Sequence, residues 1–171
     1  MLRTRIVGLA ACLLFLLTTA VASGEEWLQL KYDCRHSGNV PDRTVTTPLG
    51  LVGAVALTDA VFTSPVVAGR LVYVLDGSGV LFAIDRQTLQ VIWKFASRGG
   101  PANCNNVSSP AIAGDYVHFG TTAGSYYVLN RTDGALVKEI VCGEPVFSAP
   151  VVSQGRVYFA TLGSQVYALD P

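Results

Sequence analysis

A motif of about 40 residues occurs three times in this chain, and it restricts the possible folds more than any other feature of the sequence. Counted from Pro65, Pro110 and Pro150, each copy has a small residue one position before the proline, a valine seven positions after it and an aromatic residue seventeen positions after it. The prolines are 45 and 40 residues apart. A period near 40 in a chain with this much β-branched and aromatic character indicates a repeat fold.

The first copy predicts four short strands joined by tight turns. Asp76-Gly77-Ser78-Gly79 predicts a hairpin, because Asp-Gly supplies the positive φ that such turns require. Four strands in about 35 residues leave no room for an ordinary helix. The middle runs are apolar without alternation, which favours strands buried on both faces. The predicted strands of this copy are Pro65–Val67, Leu71–Leu75, Val80–Ile84 and Gln90–Phe95.

The first 22 residues have the pattern of a secretory signal peptide. Arg3 and Arg5 precede the apolar run Ile6–Leu17, and Ala20-Val21-Ala22 is a small-x-small cleavage site. The alternative, an uncleaved anchor, is disfavoured because the run is short for a bilayer span of roughly 20 residues. Cys12 follows a lipobox-like Leu-Ala-Ala, but it precedes the end of the apolar core, so we interpret this match as chance.

Cleavage after Ala22 would remove two arginines and reduce 12 basic residues to 10 against 12 acidic ones, a net charge of −2. Nucleic-acid-binding proteins usually carry a basic surplus, so we expect no nucleic-acid partner. No later run is long or apolar enough to span a membrane. We expect an exported chain that is periplasmic or extracellular, and association with an outer membrane is a further alternative.

Three cysteines follow the leader, and export would allow them to form disulfides. Cys104 and Cys142 lie shortly before repeat prolines, in equivalent connecting loops, and are the preferred pair. Cys34 would then be left over. The alternative is three small buried thiols.

Residues 23–61 are a lead-in that precedes the repeats. Trp27, Leu28 and Leu30 could begin a strand, and the residues after them favour turns and irregular chain. Leu49–Leu57 is apolar with β-branched residues, and we predict that it forms a strand of a partial first blade. The repeats occupy residues 62–171, with copies that start near 62, 107 and 147.

The segment Ala83-x-Asp85-x-x-Thr88-Leu89-x-x-x-Trp93 resembles the tryptophan-docking motif of β-propellers related to pyrroloquinoline-quinone (PQQ) dehydrogenases. In that family the Asp and Thr cap the turn between the third and fourth strands, and the Trp packs against the next blade. Leu89 replaces the turn glycine of the motif. The resemblance implies an all-β fold, a β-propeller of four-stranded antiparallel blades, of which about three are present in an incomplete ring.

The other copies match this motif less well. Asn130 and Asp133-Gly134 retain the turn of the second copy, but Lys138 stands where Trp would be and cannot dock in the same way. That blade interface must be held by other contacts. The lead-in pattern Trp27…Asp33…Ser37-Gly38 is similar to the lead-in of many exported PQQ-like propellers.

Complete rings of this family have about seven or eight blades. A chain with about three blades is either a truncated piece of a longer protein, which we favour, or a protein whose copies assemble through open blade edges.

We identify no catalytic, cofactor-binding or metal-binding residues. No adjacent Cys-Cys pair, calcium or base motif, haem or zinc pattern, or nucleophile motif is present. Trp93 fits a docking role better than a cofactor floor. His118 is expected to be packed in a strand or exposed at its edge, and His36 beside Cys34 is weak evidence for a metal site.

The long loop Arg98–Asn106 is the best candidate for a functional surface, because binding residues often lie on loops held by a rigid scaffold. A tolerated insertion is an equal alternative. We predict a non-catalytic module that binds an unidentified protein partner, similar in fold to a lipoprotein propeller that assists outer-membrane protein assembly. One alternative is a fragment of a quinoprotein dehydrogenase with its PQQ, calcium and catalytic residues elsewhere; a weaker one is a domain attached to a signalling or protease module.

Overall fold

The computed structural model describes residues 26–170, and the described chain consists of β-strands, irregular segments and a single 3₁₀ turn at Gly100–Ala102. The predicted leader lies outside the described residues. Among the described residues, no helix has the length and apolar character needed to cross a membrane. The strands are β1 (Val66–Ala68), β2 (Leu71–Leu75), β3 (Val80–Asp85), β4 (Val91–Ala96), β5 (Ala111–Ala113), β6 (Tyr116–Gly120), β7 (Ser125–Asn130), β8 (Leu136–Val141), β9 (Val151–Ser153), β10 (Arg156–Ala160) and β11 (Val166–Leu169).

The strands form three antiparallel sheets, one for each copy of the repeat, which confirms the predicted propeller architecture. Blade 1 has the order β1-β2-β3-β4, blade 2 has the order β5-β6-β7-β8, and blade 3 contains β9-β10-β11. Together they form an open ring. The first strands of neighbouring blades contact one another, β1 with β5 and β5 with β9, so these strands lie nearest the propeller axis.

The predicted hairpin between β2 and β3 is present, but the residue with positive φ is Gly79 (φ 81°) and not Gly77. The Asp76 carboxylate explains the difference. It accepts hydrogen bonds from the backbone N–H groups of Ser78 (3.1 Å) and Val80 (2.9 Å), so the first half of the turn closes without a left-handed residue.

Two apolar clusters join the blades, and they account for the non-alternating middle strands. All residues of β3 and β7 are buried except one at an end of each strand. One face of blade 2 packs on blade 1, and its other face packs on blade 3. The cluster between blades 1 and 2 includes Tyr73, Leu81, Phe119 and Tyr127, and the cluster between blades 2 and 3 includes Tyr126, Val128, Val146 and Phe159.

The prediction of a strand at Leu49–Leu57 is wrong, because this segment is extended chain outside every described sheet. It lies across the face of blade 1 that points away from blade 2. Val55 and Leu57 pack there against Val74, Phe82 and Ile84. The apolar residues of this segment therefore cover a sheet face instead of pairing with a sheet edge.

Candidate functional site

Trp93 occupies the docking position that the motif predicts. Its ring packs on Tyr73 (5.8 Å between centroids) and lies so close to Gly134 of blade 2 that a Cβ there would be 2.6 Å from the indole. The indole N–H donates to the carbonyl of Arg131 (3.1 Å), and the Tyr73 hydroxyl donates to the same oxygen (3.0 Å). Burial raises the pKa of Tyr73 to about 12, so the hydroxyl keeps its proton for this bond. Trp93 is half-buried, and its contacts with Tyr73 and Gly134 assign it to the interface between blades 1 and 2.

The Asp85 carboxylate caps the turn before Trp93, as the motif implies. It accepts the backbone N–H groups of Thr88 (2.8 Å) and Gln87 (2.9 Å), and it pairs with Arg70. The bond from Thr88 above all lowers the pKa of this carboxyl. Leu89 stands where the motif has glycine, and it adopts a left-handed φ of 58°. The hydrogen bonds and the ion pair of the Asp85 carboxylate thus all stabilise this turn.

The loop Arg98–Asn106 has a structural role that the sequence did not reveal. Asn106 is fully buried, donates its side-chain amide to the Gly77 carbonyl (2.9 Å) and accepts the N–H of Thr122 (2.9 Å). Gly77 and Thr122 lie in the β2–β3 and β6–β7 hairpins, so the loop ties two hairpins together. The loop is therefore more than a tolerated insertion, and its binding role stays a prediction.

Arg98 starts a polar connection between blades 1 and 2. Its backbone N–H donates to the hydroxyl of Tyr127 (3.0 Å), which donates to the Glu139 carboxylate (3.0 Å), and the Arg98 guanidinium lies 3.4 Å from the other oxygen of that carboxylate. These charged groups complete the outer part of the same interface.

Three hydroxyl groups at one repeat position were missed by the sequence reasoning. Two residues before each repeat proline, Thr63, Ser108 and Ser148 bond to the end of the second strand of their own blade, at Leu75, Gly120 and Ala160. The available signal was a hydroxyl residue at the same position in all three copies.

A cleft of about 510 Å³ lies beside the axis, between the lead-in and strands β5 and β9. On the lead-in side, the Asp33 carboxylate accepts the Ser37 hydroxyl (2.6 Å) and the N–H groups of Ser37 (2.9 Å) and Arg35 (3.0 Å), and these bonds lower its pKa. The Asp33 and Ser37-Gly38 part of the lead-in pattern therefore forms a loop that these hydrogen bonds close. The Arg43 guanidinium lies 4.9 Å over the Tyr32 ring in the same wall.

A second cleft, of about 370 Å³, lies between blades 2 and 3. His118 and Lys138 line it at the positions that correspond to Tyr73 and Trp93 in the preceding interface. His118 is 5% exposed, its Nδ1 has no hydrogen-bond partner, and burial lowers its pKa to about 4. The expectation of a packed strand histidine is confirmed, and the imidazole is neutral at pH 7.

The three described cysteines are free thiols, so the predicted Cys104–Cys142 bridge is not formed. Cys104 is exposed beside the 3₁₀ turn, whereas the half-buried Cys142 packs into the cluster between blades 2 and 3. Cys34 is also exposed, so the alternative of three buried thiols is wrong as well.

The described residues do not fit a calcium site of the kind that a PQQ dehydrogenase requires. Calcium requires six to eight oxygen ligands around one point, but Asp33, Asp76 and Asp85 serve separate turns. Over residues 26–170, no group of three or more His, Cys, Asp or Glu could hold a metal ion.

The lead-in also presents large apolar side chains to solvent. Leu51 and Val52 are 90% and 87% exposed, although Val55 and Leu57 of the same segment are packed on blade 1. Val45, Leu49, Val61 and Phe62 extend the exposed apolar set. We call residues 45–62 the apolar lead-in surface.

A family model described as outer membrane protein assembly factor BamB matches residues 53–145 and 119–171. The curated proteins of that name include one from Burkholderia pseudomallei, 34% identical over 105 residues, and one from Yersinia pestis, 28% identical over 114 residues. These matches cover 61% and 62% of this chain, and 26% and 28% of the two relatives. The chain thus spans about a quarter of the length of the curated relatives it matches.

Solved structures of propellers are similar in fold. BamB from Moraxella catarrhalis aligns with a TM-score of 0.60 at 21% identity, over 68% of this chain and 39% of that one. A europium-containing methanol dehydrogenase aligns with a TM-score of 0.66 at 17% identity, over 85% of this chain and 30% of that one. At these identities the structural likeness shows the fold alone.

Proposed function

This chain belongs to the PQQ-like β-propeller family whose model is described as outer membrane protein assembly factor BamB, and from that premise we propose that it is an exported, non-catalytic scaffold that binds a protein partner during outer-membrane protein assembly. The carboxylates of Asp33, Asp76 and Asp85 and the docking tryptophan have structural partners. The proposal therefore assigns the function to side chains that the fold exposes to solvent.

The observation that carries the proposal is the apolar lead-in surface. An exposed stretch of apolar side chains on a rigid scaffold is typical of a protein interaction site. Leu51 and Val52 point to solvent from a segment that blade 1 holds in place through Val55 and Leu57. A partner that covers Leu51 and Val52 would bury apolar area without rearranging the blades.

The test is co-purification of the tagged full chain with the outer-membrane protein assembly machinery of its host. The double variant Leu51→Asp/Val52→Asp is expected to lose this association and to keep its thermal unfolding temperature, because both side chains are exposed. Asn39→Asp/Thr44→Asp places the same charges on exposed polar positions of the lead-in outside this surface and is the matched control.

Two outcomes would overturn the proposal. The first is association that is unaffected by the Leu51/Val52 variant. The second is purified chain that binds PQQ with Ca²⁺ and oxidises an alcohol, which would make it part of a quinoprotein dehydrogenase.

A further inference from the structure

Three consecutive lead-in residues each hydrogen-bond to a different blade. Trp27 exchanges two backbone hydrogen bonds with β1, each 2.8 Å. The carbonyl of Leu28 accepts an N–H from β5 (2.7 Å), and the side chain of Gln29 bonds to β9. The partners in the blades are Val67, Ile112 and Val152, which stand two residues after Pro65, Pro110 and Pro150.

The geometry of an edge strand explains why the contacts fall at these equivalent positions. The first strand of each blade pairs with its neighbour on one side only, so every second residue directs its backbone groups towards the axis. In β9 this residue is Val152, which lies between Val151 and Ser153. The residue two positions earlier is a proline, which has no N–H to present. Each axial edge therefore has one main point of attachment, and the lead-in occupies all three.

Gln29 differs from the two residues before it, because it makes its contact through its side chain. The lead-in turns at this point, where the Gln29 carbonyl accepts the N–H of Tyr32 (3.0 Å). The side-chain oxygen accepts the N–H of Val152 (2.9 Å), and the side-chain nitrogen donates to the carbonyl of Val152 (3.4 Å). Gln29 is 7% exposed. Its carboxamide thus replaces a peptide group as the partner of an edge strand.

We infer that the axial edges of the three blades form one binding site for an extended segment, and that Trp27–Gln29, which we call the strap, is its intramolecular occupant. Gln29 is the positioning residue that holds blade 3 to this strap. This assignment is independent of the proposed scaffold function, because it concerns the relation between the blades and not an external partner.

Residue-resolved amide hydrogen exchange on the full chain tests the inference. In Gln29→Ala, the Val152 amide is expected to exchange roughly fivefold faster, since a hydrogen bond of this kind contributes on the order of 1 kcal/mol. The Val67 and Ile112 amides should keep their protection, because their backbone partners remain. Gln87→Ala, at an exposed turn of blade 1, is the control and should leave all three amides unchanged.

Two results would overturn the inference. Unchanged exchange at Val152 in Gln29→Ala would show that the side chain does not protect β9. An equal loss of protection at all three amides would show a general stabilising role without blade specificity.

A second variant gives a readout that a merely structural side chain would not produce. Gln29→Glu keeps the acceptor for the Val152 N–H, but its ionised carboxylate places an oxygen against the Val152 carbonyl. Protonation restores a donor at that atom. The protection factor of Val152 should therefore rise as pH falls through the pKa of the new carboxyl, and a pH-independent protection factor would contradict the two-point bond.

Discussion

The interface between blades 1 and 2 and the interface between blades 2 and 3 use the same strand positions with different chemistry. In the first interface, the Trp93 indole and the Tyr73 hydroxyl donate to a single carbonyl oxygen, at 3.1 and 3.0 Å. In the second interface, the corresponding positions hold Lys138 and His118, which line a cleft of about 370 Å³.

The second interface is held instead by stacked rings. Tyr126 of blade 2 stacks on Phe159 of blade 3 at 3.7 Å with an interplanar angle of 9°, and Phe159 stacks on Tyr167 at 4.7 Å. The prediction that other contacts must replace the docking tryptophan is confirmed. In repeat proteins each interface contributes its own stability, so one repeat can be fastened by directional hydrogen bonds and the next by ring stacking.

The largest expected effect distinguishes the two docking positions directly. Trp93→Ala should lower the free energy of unfolding by roughly 3–5 kcal/mol, because it removes a large packed ring and one hydrogen bond. Lys138→Ala, at the corresponding exposed position, should cost less than about 0.5 kcal/mol. Urea denaturation of both variants measures the difference, and equal costs would contradict the assignment of docking to Trp93.

The buried imidazole should make the second interface sensitive to acid. Burial lowers the pKa of His118 from its ordinary value of 6.5 to about 4, so the unfolded chain binds a proton more readily than the folded one between these values. Stability is therefore complete above pH 6.5 and falls by up to about 3 kcal/mol as the pH decreases towards 4.

Urea denaturation across this pH range measures the loss, and His118→Gln should reduce its slope. Gln87→Ala, which changes an exposed side chain that does not titrate, is the control and should leave the slope as in the unmodified chain. An unchanged slope in His118→Gln would contradict the role of the buried imidazole.

Two glycines with nearly the same backbone conformation isolate the contact with Trp93. Gly134 has a φ of 74° and Gly155 has a φ of 76°, but only Gly134 faces a neighbour, the Trp93 ring at 2.6 Å from an added Cβ. Gly155→Ala should cost about 1 kcal/mol from its left-handed backbone. Gly134→Ala should cost a further 1–3 kcal/mol, roughly, from steric overlap. Thermal unfolding of the two variants checks this. Equal losses of stability would mean that the Trp93 ring moves aside without a steric penalty.

The smallest expected difference concerns the rings. Phe159 and Phe119 are both buried, but Phe119 stacks on Tyr127 only at 5.3 Å, compared with 3.7 Å for Phe159 on Tyr126. Phe159→Leu should therefore cost more than Phe119→Leu, by roughly 0.5–1.5 kcal/mol. Denaturation curves that place Phe119→Leu as the costlier change would remove ring stacking as the basis of the second interface.

The features that could be predicted from the sequence are those governed by local pattern. The repeat period and the apolar runs identified the blades, and the spacing from Asp85 to Trp93 identified the docking ring. The segment Leu49–Leu57 was misinterpreted, because an extended apolar segment has the same composition whether it pairs with a strand edge or covers a sheet face.

The contacts that could not be predicted join residues far apart in the chain. Nothing near Gln29 indicates that its amide meets Val152, and nothing near Asn106 indicates that it links two hairpins. The proposed pairing of Cys104 with Cys142 failed for the same reason, because equivalent positions in a repeat need not face each other.

The strap at Trp27–Gln29 also has a consequence for the order of folding. Its contacts with the blades follow the order of the sequence, and the last one joins residues 123 positions apart. Such a contact closes a long loop and forms slowly unless earlier contacts have already shortened the effective distance. Blade 1 can capture Trp27 as soon as β1 exists, and each later blade then meets a segment that is already fixed. We therefore expect the blades to assemble in register from the first to the third, with the lead-in serving as the template on which their angular spacing is set.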